Sequence, residues 1–100
     1  MTIDLDGTIT SWNKGAERLY GYTVEEAVGE PITMLTPPNR HDEGPAILER
    51  IKRGERVEHY DALLRRRHGS LINVSLTVSP VRNAQGKIIG ASKVSRDITE

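Results

Sequence analysis

The residues best suited to catalysis or metal binding are spread along this chain without a recognisable pattern. The three histidines, His41, His59 and His68, show neither the i, i+4 spacing of a helical metal site nor any other metal signature. The absence of cysteine excludes disulfides, thiolate nucleophiles and cysteine-ligated zinc. We therefore expect the histidines to be solvated and no metal to be bound.

The carboxylates and hydroxyls have simpler structural explanations than catalysis. Asp4 and Asp6 flank a predicted turn, where carboxylates commonly accept main-chain hydrogen bonds. Asp42 and Glu43 lie at a predicted helix start, where negative charge is favourable. No serine has a predicted histidine beside it on the same face, so no nucleophile–base pair is indicated. The sequence predicts a domain that is not itself an enzyme.

Charge and composition restrict the partners. The 14 basic and 14 acidic residues give a formal net charge of 0, which disfavours binding to nucleic acid by bulk charge. For the basic run 65–67 we favour a solvated strand end over contact with an acidic partner domain. The sequence contains neither an apolar run of roughly 18 residues nor a signal peptide. We expect a cytoplasmic domain without direct membrane contact.

The first half of the chain predicts a hairpin followed by short helices. Asp6-Gly7 lies between alternating apolar residues and predicts the turn of the hairpin. Asn13 is the predicted N-cap of a helix that ends near Tyr20. Thr23 and Glu26 have the spacing of a capping box for a second short helix, and residues 32–35 predict one further turn.

The second half predicts the longest helix and three strands. Asp42 and Gly54 bound the helix, whose apolar stripe comprises Ala46, Ile47, Leu48 and Ile51. Residues 57–67, 72–78 and 87–98 predict strands, of which the second has the clearest alternation. Because an isolated hairpin is marginally stable, the first two strands should join these three. The fold class is therefore α+β, with helices over one face of a five-stranded antiparallel sheet.

Short motifs throughout the chain resemble those of a PAS domain. They are Asp6-Gly-x-Ile-x-x-Trp-Asn13, Ala16…Tyr20-Gly-Tyr22, Val28-Gly29, Pro37-Pro38-Asn-Arg40, Gly54-Glu55, Gly69-Ser70, Val-x-Leu-x-Val-x-Pro80 and Arg96-Asp-Ile-Thr99. The resemblance implies the strand order 2-1-5-4-3, with a cavity between the inner sheet face and the long helix. It implies a single domain over residues 1–100, which we expect to be clipped at the first strand and to lack an N-terminal cap helix.

The resemblance also implies a function. PAS domains are sensory or docking modules of histidine kinases, cyclic-dinucleotide enzymes or transcriptional regulators. We expect an effector domain in the same chain, a homodimer of the full-length protein, and signal exit through Asp97, Ile98 and Thr99, with Arg82 as a candidate partner of Asp97. The alternatives are a haem or flavin sensor and a ligand-free dimerisation module that uses the outer sheet face.

Two cofactors known from PAS relatives fit this sequence poorly. The lack of cysteine excludes a covalent flavin, and Leu64 and Val74 occupy the positions where flavin-binding relatives have asparagine. His41 resembles the haem-binding histidine of oxygen-sensing relatives, but Glu43 falls at the matching distance from the glycine that ends the helix. We expect no cofactor, or an unknown small molecule.

The predicted cavity lining is mostly apolar. Its residues are Ile47, Ile51, Tyr60, Ala62, Leu64, Ile72, Val74, Leu76, Val78, Ser92 and Val94. We favour a filled core over an open pocket in so small a domain. An open pocket with this lining would suit a small apolar or aromatic ligand, with the hydroxyls of Tyr60 and Ser92 as its polar contacts.

Overall fold

Five strands and a set of short helices make up the fold. The computed structural model describes residues 1–37 and 44–98. The elements are β1 (Thr2–Asp4), β2 (Ile9–Ser11), α1 (Lys14–Tyr20), α2 (Val24–Ala27), a 3₁₀ turn (Ile32–Leu35), α3 (Gly44–Lys52), β3 (Val57–Arg65), β4 (Leu71–Arg82) and β5 (Ile88–Asp97). The predictions for residues 38–43, including His41, Asp42 and Glu43, and for Thr99 lie outside the described residues.

The strands form one antiparallel sheet in the order β2-β1-β5-β4-β3, which confirms the predicted order. The central strand, β5, pairs with β1 through Ile3 opposite Ala91 and with β4 through Leu76 opposite Ser95. β3 closes the other side through Tyr60 opposite Leu76. The first hairpin and the last three strands therefore share one hydrogen-bonded sheet.

The turns and helix caps form where the sequence predicts them. In the first hairpin the Asp4 carboxylate accepts from the backbone N–H groups of Asp6 and Thr8, at 2.9 and 3.0 Å. The Asn13 side chain accepts from the Ala16 N–H at 2.8 Å and so caps α1. Thr23 forms the predicted capping box with the first turn of α2. These local bonds satisfy N–H groups that would otherwise lack partners at the helix starts.

The core lies between the sheet and the helices. On β4, buried and less buried residues alternate as the period-2 pattern predicts. The most completely buried large side chains come from β2, α1, the 3₁₀ turn, α3 and β4: Ile9, Tyr20, Leu35, Ile51, Ile72, Val74 and Val78. Helix α3 contributes Ile51 to this core, and its exposed face carries charged residues.

Gly90 marks the closest approach of two backbones in the sheet. A Cβ atom built there would collide with the carbonyl oxygen of Ile3 on β1. A glycine is therefore required where β1 and β5 meet.

We predict that Gly90→Ala will lower the free energy of unfolding by about 1–3 kcal/mol, because the added methyl forces β1 and β5 apart. The matched control is Gly15→Ala in α1, where the new Cβ would lie 3.5 Å from Asn13 Oδ1, an ordinary contact. Alanine there should stabilise the protein by about 0.5–1 kcal/mol. Urea denaturation of both variants measures the difference, and equal effects would contradict the steric explanation.

Candidate functional site

Among the described residues, a small cavity lies between α3 and the sheet. The residual cavity has a volume of about 20 Å³, lined by Ile3, Ile32, Ile47, Leu48, Ile51, Val78, Ala91 and Lys93. This volume holds about one water molecule. The preference for a filled core over an open pocket stays a prediction.

Most of the predicted lining residues share the inner face of the sheet. Tyr60, Ala62 and Leu64 of β3 lie opposite Leu76, Val74 and Ile72 of β4. Of the predicted set, the residues that line the residual cavity itself are Ile47, Ile51 and Val78. The ligand-contact role of the whole set stays a prediction.

The predicted orientation of β5 was wrong by one residue. Ser92 and Val94 pair with Ser79 and Thr77 on the outer face, and Val94 is 63% exposed. The error has a physical cause, because small and polar residues occur on both faces of β5 and alternation along the strand cannot set its phase. Pairing with β1 and β4 sets it instead, with Ala91, Lys93 and Ser95 facing inward.

Lys93 is an inner-face residue that the sequence analysis missed. It lies opposite Val78 in the ladder and lines both the residual cavity and a second, larger groove. A lysine can lay its apolar stem along such a wall and keep its ammonium group near solvent. The sequence carries no signal for this position, because alternation along β5 does not set the phase of the strand.

The larger groove lies between α1 and the end of β5. Its volume is about 490 Å³, and its lining is Met1, Asn13, Gly15, Ala16, Arg18, Leu19, Tyr20, Arg66 and residues 93–97. At one wall the Tyr20 hydroxyl donates to Ser95 Oγ at 2.7 Å. Burial raises the pKa of Tyr20 to about 12, although the bond to Ser95 opposes the shift. The Tyr20 hydroxyl is therefore neutral at ordinary pH, and its hydrogen bond to Ser95 joins α1 to β5.

Three of the four aromatic residues form one structural cluster behind this groove. The Trp12 ring lies 5.8 Å from that of Tyr20 and 6.4 Å from that of Tyr22, measured between centroids. The indole N–H of Trp12 donates to the Tyr22 carbonyl oxygen at 2.9 Å. The cluster holds α1 in place and presents no stacking platform for a ligand.

The basic run 65–67 is only in part the solvated strand end that we expected, since the Arg67 side chain is 58% exposed whereas Arg65 and Arg66 are half-buried. Arg66 Nη2 lies 3.6 Å from a carboxylate oxygen of Asp97, and Arg67 Nη2 lies 2.7 Å from one of Glu26. Arg65 Nη2 donates to the Met34 carbonyl at 3.5 Å. Each arginine therefore contacts a different segment, namely the end of β5, α2 and the 3₁₀ turn.

Asp97, the last residue of β5, pairs with a cation other than the predicted one. Arg66 is its partner. Arg82 lies at the far end of β4, opposite Ile88, and donates to the Gly86 carbonyl oxygen at 3.0 Å. The next residue, Ile98, donates its N–H to the Asn73 carbonyl oxygen at 3.0 Å. The end of β5 therefore contacts Arg66, the residue after β3, and Asn73 of β4.

The described histidines do not converge. His59 is exposed in a bulge of β3 with φ 51°, and His68 forms a 2.8 Å hydrogen bond with Ser70 in the following turn. Within residues 1–37 and 44–98, no group of three or more His, Asp or Glu side chains could hold a metal ion. In the same ranges, no helix has the length and apolarity needed to span a membrane.

We predict that Tyr20→Phe will lower the free energy of unfolding by about 1 kcal/mol, since Ser95 Oγ loses its buried partner. Because the pKa of Tyr20 rises from the ordinary 10.0 to about 12 on folding, its stabilising contribution is complete below pH 10. It is lost as the pH rises from 10 to 12. Urea denaturation at several pH values measures both effects.

The matched control is Tyr22→Phe, which removes a phenol hydroxyl from a half-buried side chain of the same cluster. This variant should leave stability nearly unchanged. If the free energy of unfolding fell equally in the two variants, the hydrogen bond between Tyr20 and Ser95 would contribute no stability of its own.

Comparison with known proteins agrees with this geometry. A model of the PAS domain family matches residues 1–100. The chain is 36% identical to two-component system protein A of Emericella nidulans, covering 98% of this chain and 14% of that protein. It is 32% identical to the probable diguanylate cyclase DgcE of Escherichia coli, covering 98% of this chain and 9% of that protein. The chain thus spans a small fraction of the relatives it matches.

Solved structures show the same fold. The PAS domain of a protein from Colwellia psychrerythraea superposes with a TM-score of 0.81 at 29% identity, covering 98% of this chain and 83% of that one. The blue-light photoreceptor Aureochrome1 LOV superposes with a TM-score of 0.83 at 21% identity, covering 99% and 74%, a likeness of fold alone. From the sheet order, the motifs and the match over residues 1–100, the chain belongs to the PAS domain family.

Proposed function

We propose that this chain is a sensory or regulatory module of a larger signal-transduction protein and passes a signal to an effector domain through the end of β5. The observation that carries the proposal is the contact between Arg66 and Asp97. It joins Arg66, the residue after β3, to Asp97, the first residue of the predicted exit. A change in the sheet would therefore reach the point at which the chain leaves the domain.

The position of β5 supports this route. Ala91 and Lys93 line the residual cavity under α3, and the same strand ends at Asp97. A ligand or a repacking of the core that displaces β5 also displaces its end. A ligand that binds one of two arrangements of the exit more tightly shifts the equilibrium toward that arrangement. The size of the shift equals the difference between its two binding free energies.

The module is proposed to be non-catalytic. Several of the described acidic and hydroxyl groups serve turns, helix caps and ion pairs. The one hydroxyl–imidazole hydrogen bond among the described residues joins Ser70 to His68 at 2.8 Å, in an exposed turn that lines neither described cavity. Any kinase or cyclase activity would belong to an effector domain elsewhere in the chain, as the names of the relatives suggest. The cytoplasmic setting stays a prediction.

The inner face favours a module without flavin or haem. Leu64 and Val74 are apolar and face inward from neighbouring strands, so the polar edge of a flavin would lose its hydrogen-bond partners on burial. The described cavity lining offers iron no histidine, cysteine or methionine ligand. A small apolar molecule would fit this lining only if α3 moved away from the sheet.

The second candidate function is ligand-free dimerisation through the outer sheet face. Val94 is 63% exposed at the centre of this face, and Leu71 is 53% exposed near its edge. Ser75, Thr77 and Ser79 supply polar neighbours. Exposed apolar side chains beside hydroxyl groups are typical of a surface that can be covered by a partner.

We predict that Asp97→Ala and Arg66→Ala will change effector output in the full-length protein while the domain stays folded. An exposed ion pair contributes at most about 1 kcal/mol, so the thermal transition should shift little. The matched control is Glu58→Ala, which removes another exposed ion pair, Arg56–Glu58 at 3.1 Å, far from the exit.

Effector activity and circular dichroism are measured together for these three variants. The double variant Arg66→Asp with Asp97→Arg should restore part of the normal output. Loss of the thermal transition in Asp97→Ala, or outputs equal to that of Glu58→Ala, would contradict the proposed coupling.

We predict that protein purified without added cofactor will show no visible absorption band and a native mass equal to the bare chain. The packed apolar interior gives the physical reason. A haem or flavin band would contradict the cofactor-free assignment, and a small adduct mass would establish an openable pocket. A dimer mass in the same spectrum would favour the second candidate function.

A further inference from the structure

The turn between β1 and β2 contains a chemically reactive dipeptide, Asp6-Gly7. The Gly7 amide nitrogen can attack Cγ of the Asp6 carboxyl group, because glycine has no side chain to hinder the approach. The N–Cγ bond forms and the Cγ–OH bond breaks, and the departing hydroxyl leaves as water with the amide proton. Water then reopens the resulting succinimide ring at one of its two carbonyl groups. Opening at one carbonyl restores aspartate, and opening at the other leaves isoaspartate, in which the main chain runs through Cβ.

The conformation of the turn favours glycine after Asp6. Gly7 has φ 84°, in the left-handed region that residues with a side chain seldom adopt. A larger residue at this position would slow the attack on Asp6 but would strain the turn. The fold therefore keeps the reactive dipeptide in the sequence.

The folded turn holds the attacking nitrogen away from the reaction. The Gly7 N–H donates to the Asp4 carbonyl oxygen at 3.1 Å, and the Gly7 carbonyl oxygen accepts from the Ile32 N–H at 2.8 Å. The Asp4 carboxylate also accepts from the N–H groups of Asp6 and Thr8. To reach Asp6 Cγ, the nitrogen must lose its hydrogen bond and its proton and turn toward the side chain. These contacts oppose that movement.

Two side chains of the cavity wall cover the same glycine. A Cβ atom built at Gly7 would lie 3.7 Å from Ile32 Cγ2 and 3.8 Å from Leu48 Cδ1. Both side chains line the residual cavity between α3 and the sheet. Movement of the 3₁₀ turn or of α3 away from the sheet would therefore uncover Gly7 and release its hydrogen bonds.

We propose that Asp6-Gly7 is a site of isoaspartate formation that the folded turn suppresses and that movement of the cavity wall exposes. Isoaspartate adds one carbon atom to the main chain between Asp6 and Gly7, so both hydrogen bonds of Gly7 are displaced. The 3₁₀ turn and α3 then lose their contact with the turn, and the residual cavity widens. The extent of modification therefore reports how often the cavity wall has opened.

The test is to incubate the protein at neutral pH and to measure isoaspartate at residue 6 by mass spectrometry of its peptides. The folded protein should form isoaspartate about tenfold or more slowly than the chain unfolded in guanidinium chloride, because the reaction requires an opened turn. The variant Asp6→Ala cannot form the succinimide and gives the background.

The variant Ile32→Ala tests the role of the cavity wall. It should raise the rate in the folded protein about threefold or more, since Gly7 loses its cover and the turn opens more often. The matched control is Ile47→Ala, which removes the same atoms from the lining of the same cavity but from a side chain that does not contact Gly7. Guanidinium chloride is added to the more stable variant until the free energies of unfolding match, so that global unfolding contributes equally.

Equal rates in the folded and unfolded chains, or in Ile32→Ala and Ile47→Ala, would overturn the proposal. Hydrogen exchange tests the structural consequence in the isoaspartate form, after its separation by chromatography. The Ile32 N–H should exchange about tenfold or more faster in this form, because its acceptor on Gly7 is displaced. Unchanged exchange at Ile32 would overturn the proposed effect on the cavity wall.

Discussion

The pairing of β5 with strands on both of its sides is the constraint on which the rest of the structure depends. Without the short ladder between Ile3 and Ala91, β1 and β2 would form an isolated hairpin, which is marginal in water. The ladder places the first residues of the chain beside the last strand, and the helices between them must then cross one sheet face. Gly90 permits this contact because it has no Cβ at the point of closest approach.

The same strand runs from the small cavity under α3 to Asp97, the first residue of the proposed exit. Its inner face carries Ala91 and Lys93 under α3, Ser95 against Tyr20, and Asp97 against Arg66. These contacts reach α1, α3 and the end of β3. Because β5 packs tightly against several elements, a change in the core that displaces this strand also displaces its end.

The basic run 65–67 shows why local sequence is a poor guide to the environment of charged residues. Three successive arginines in a neutral domain indicate a solvated surface, and the chain carries no local signal for their partners. Asp97 is distant in sequence, and it meets Arg66 because β3, β4 and β5 lie side by side. The same holds for Glu26, which meets Arg67 through the packing of α2.

The sequence by itself determined the elements, their caps and turns, the strand order through its family motifs, and the inward face of β4. These features depend on neighbouring residues or on strong alternation, as at Thr23 with Glu26 and along residues 72–78. The tertiary structure decided the phase of β5, the inward position of Lys93 and the partner of Asp97. Those features depend on pairing between distant segments, and in β5 the alternation of small and polar residues was too weak to predict it.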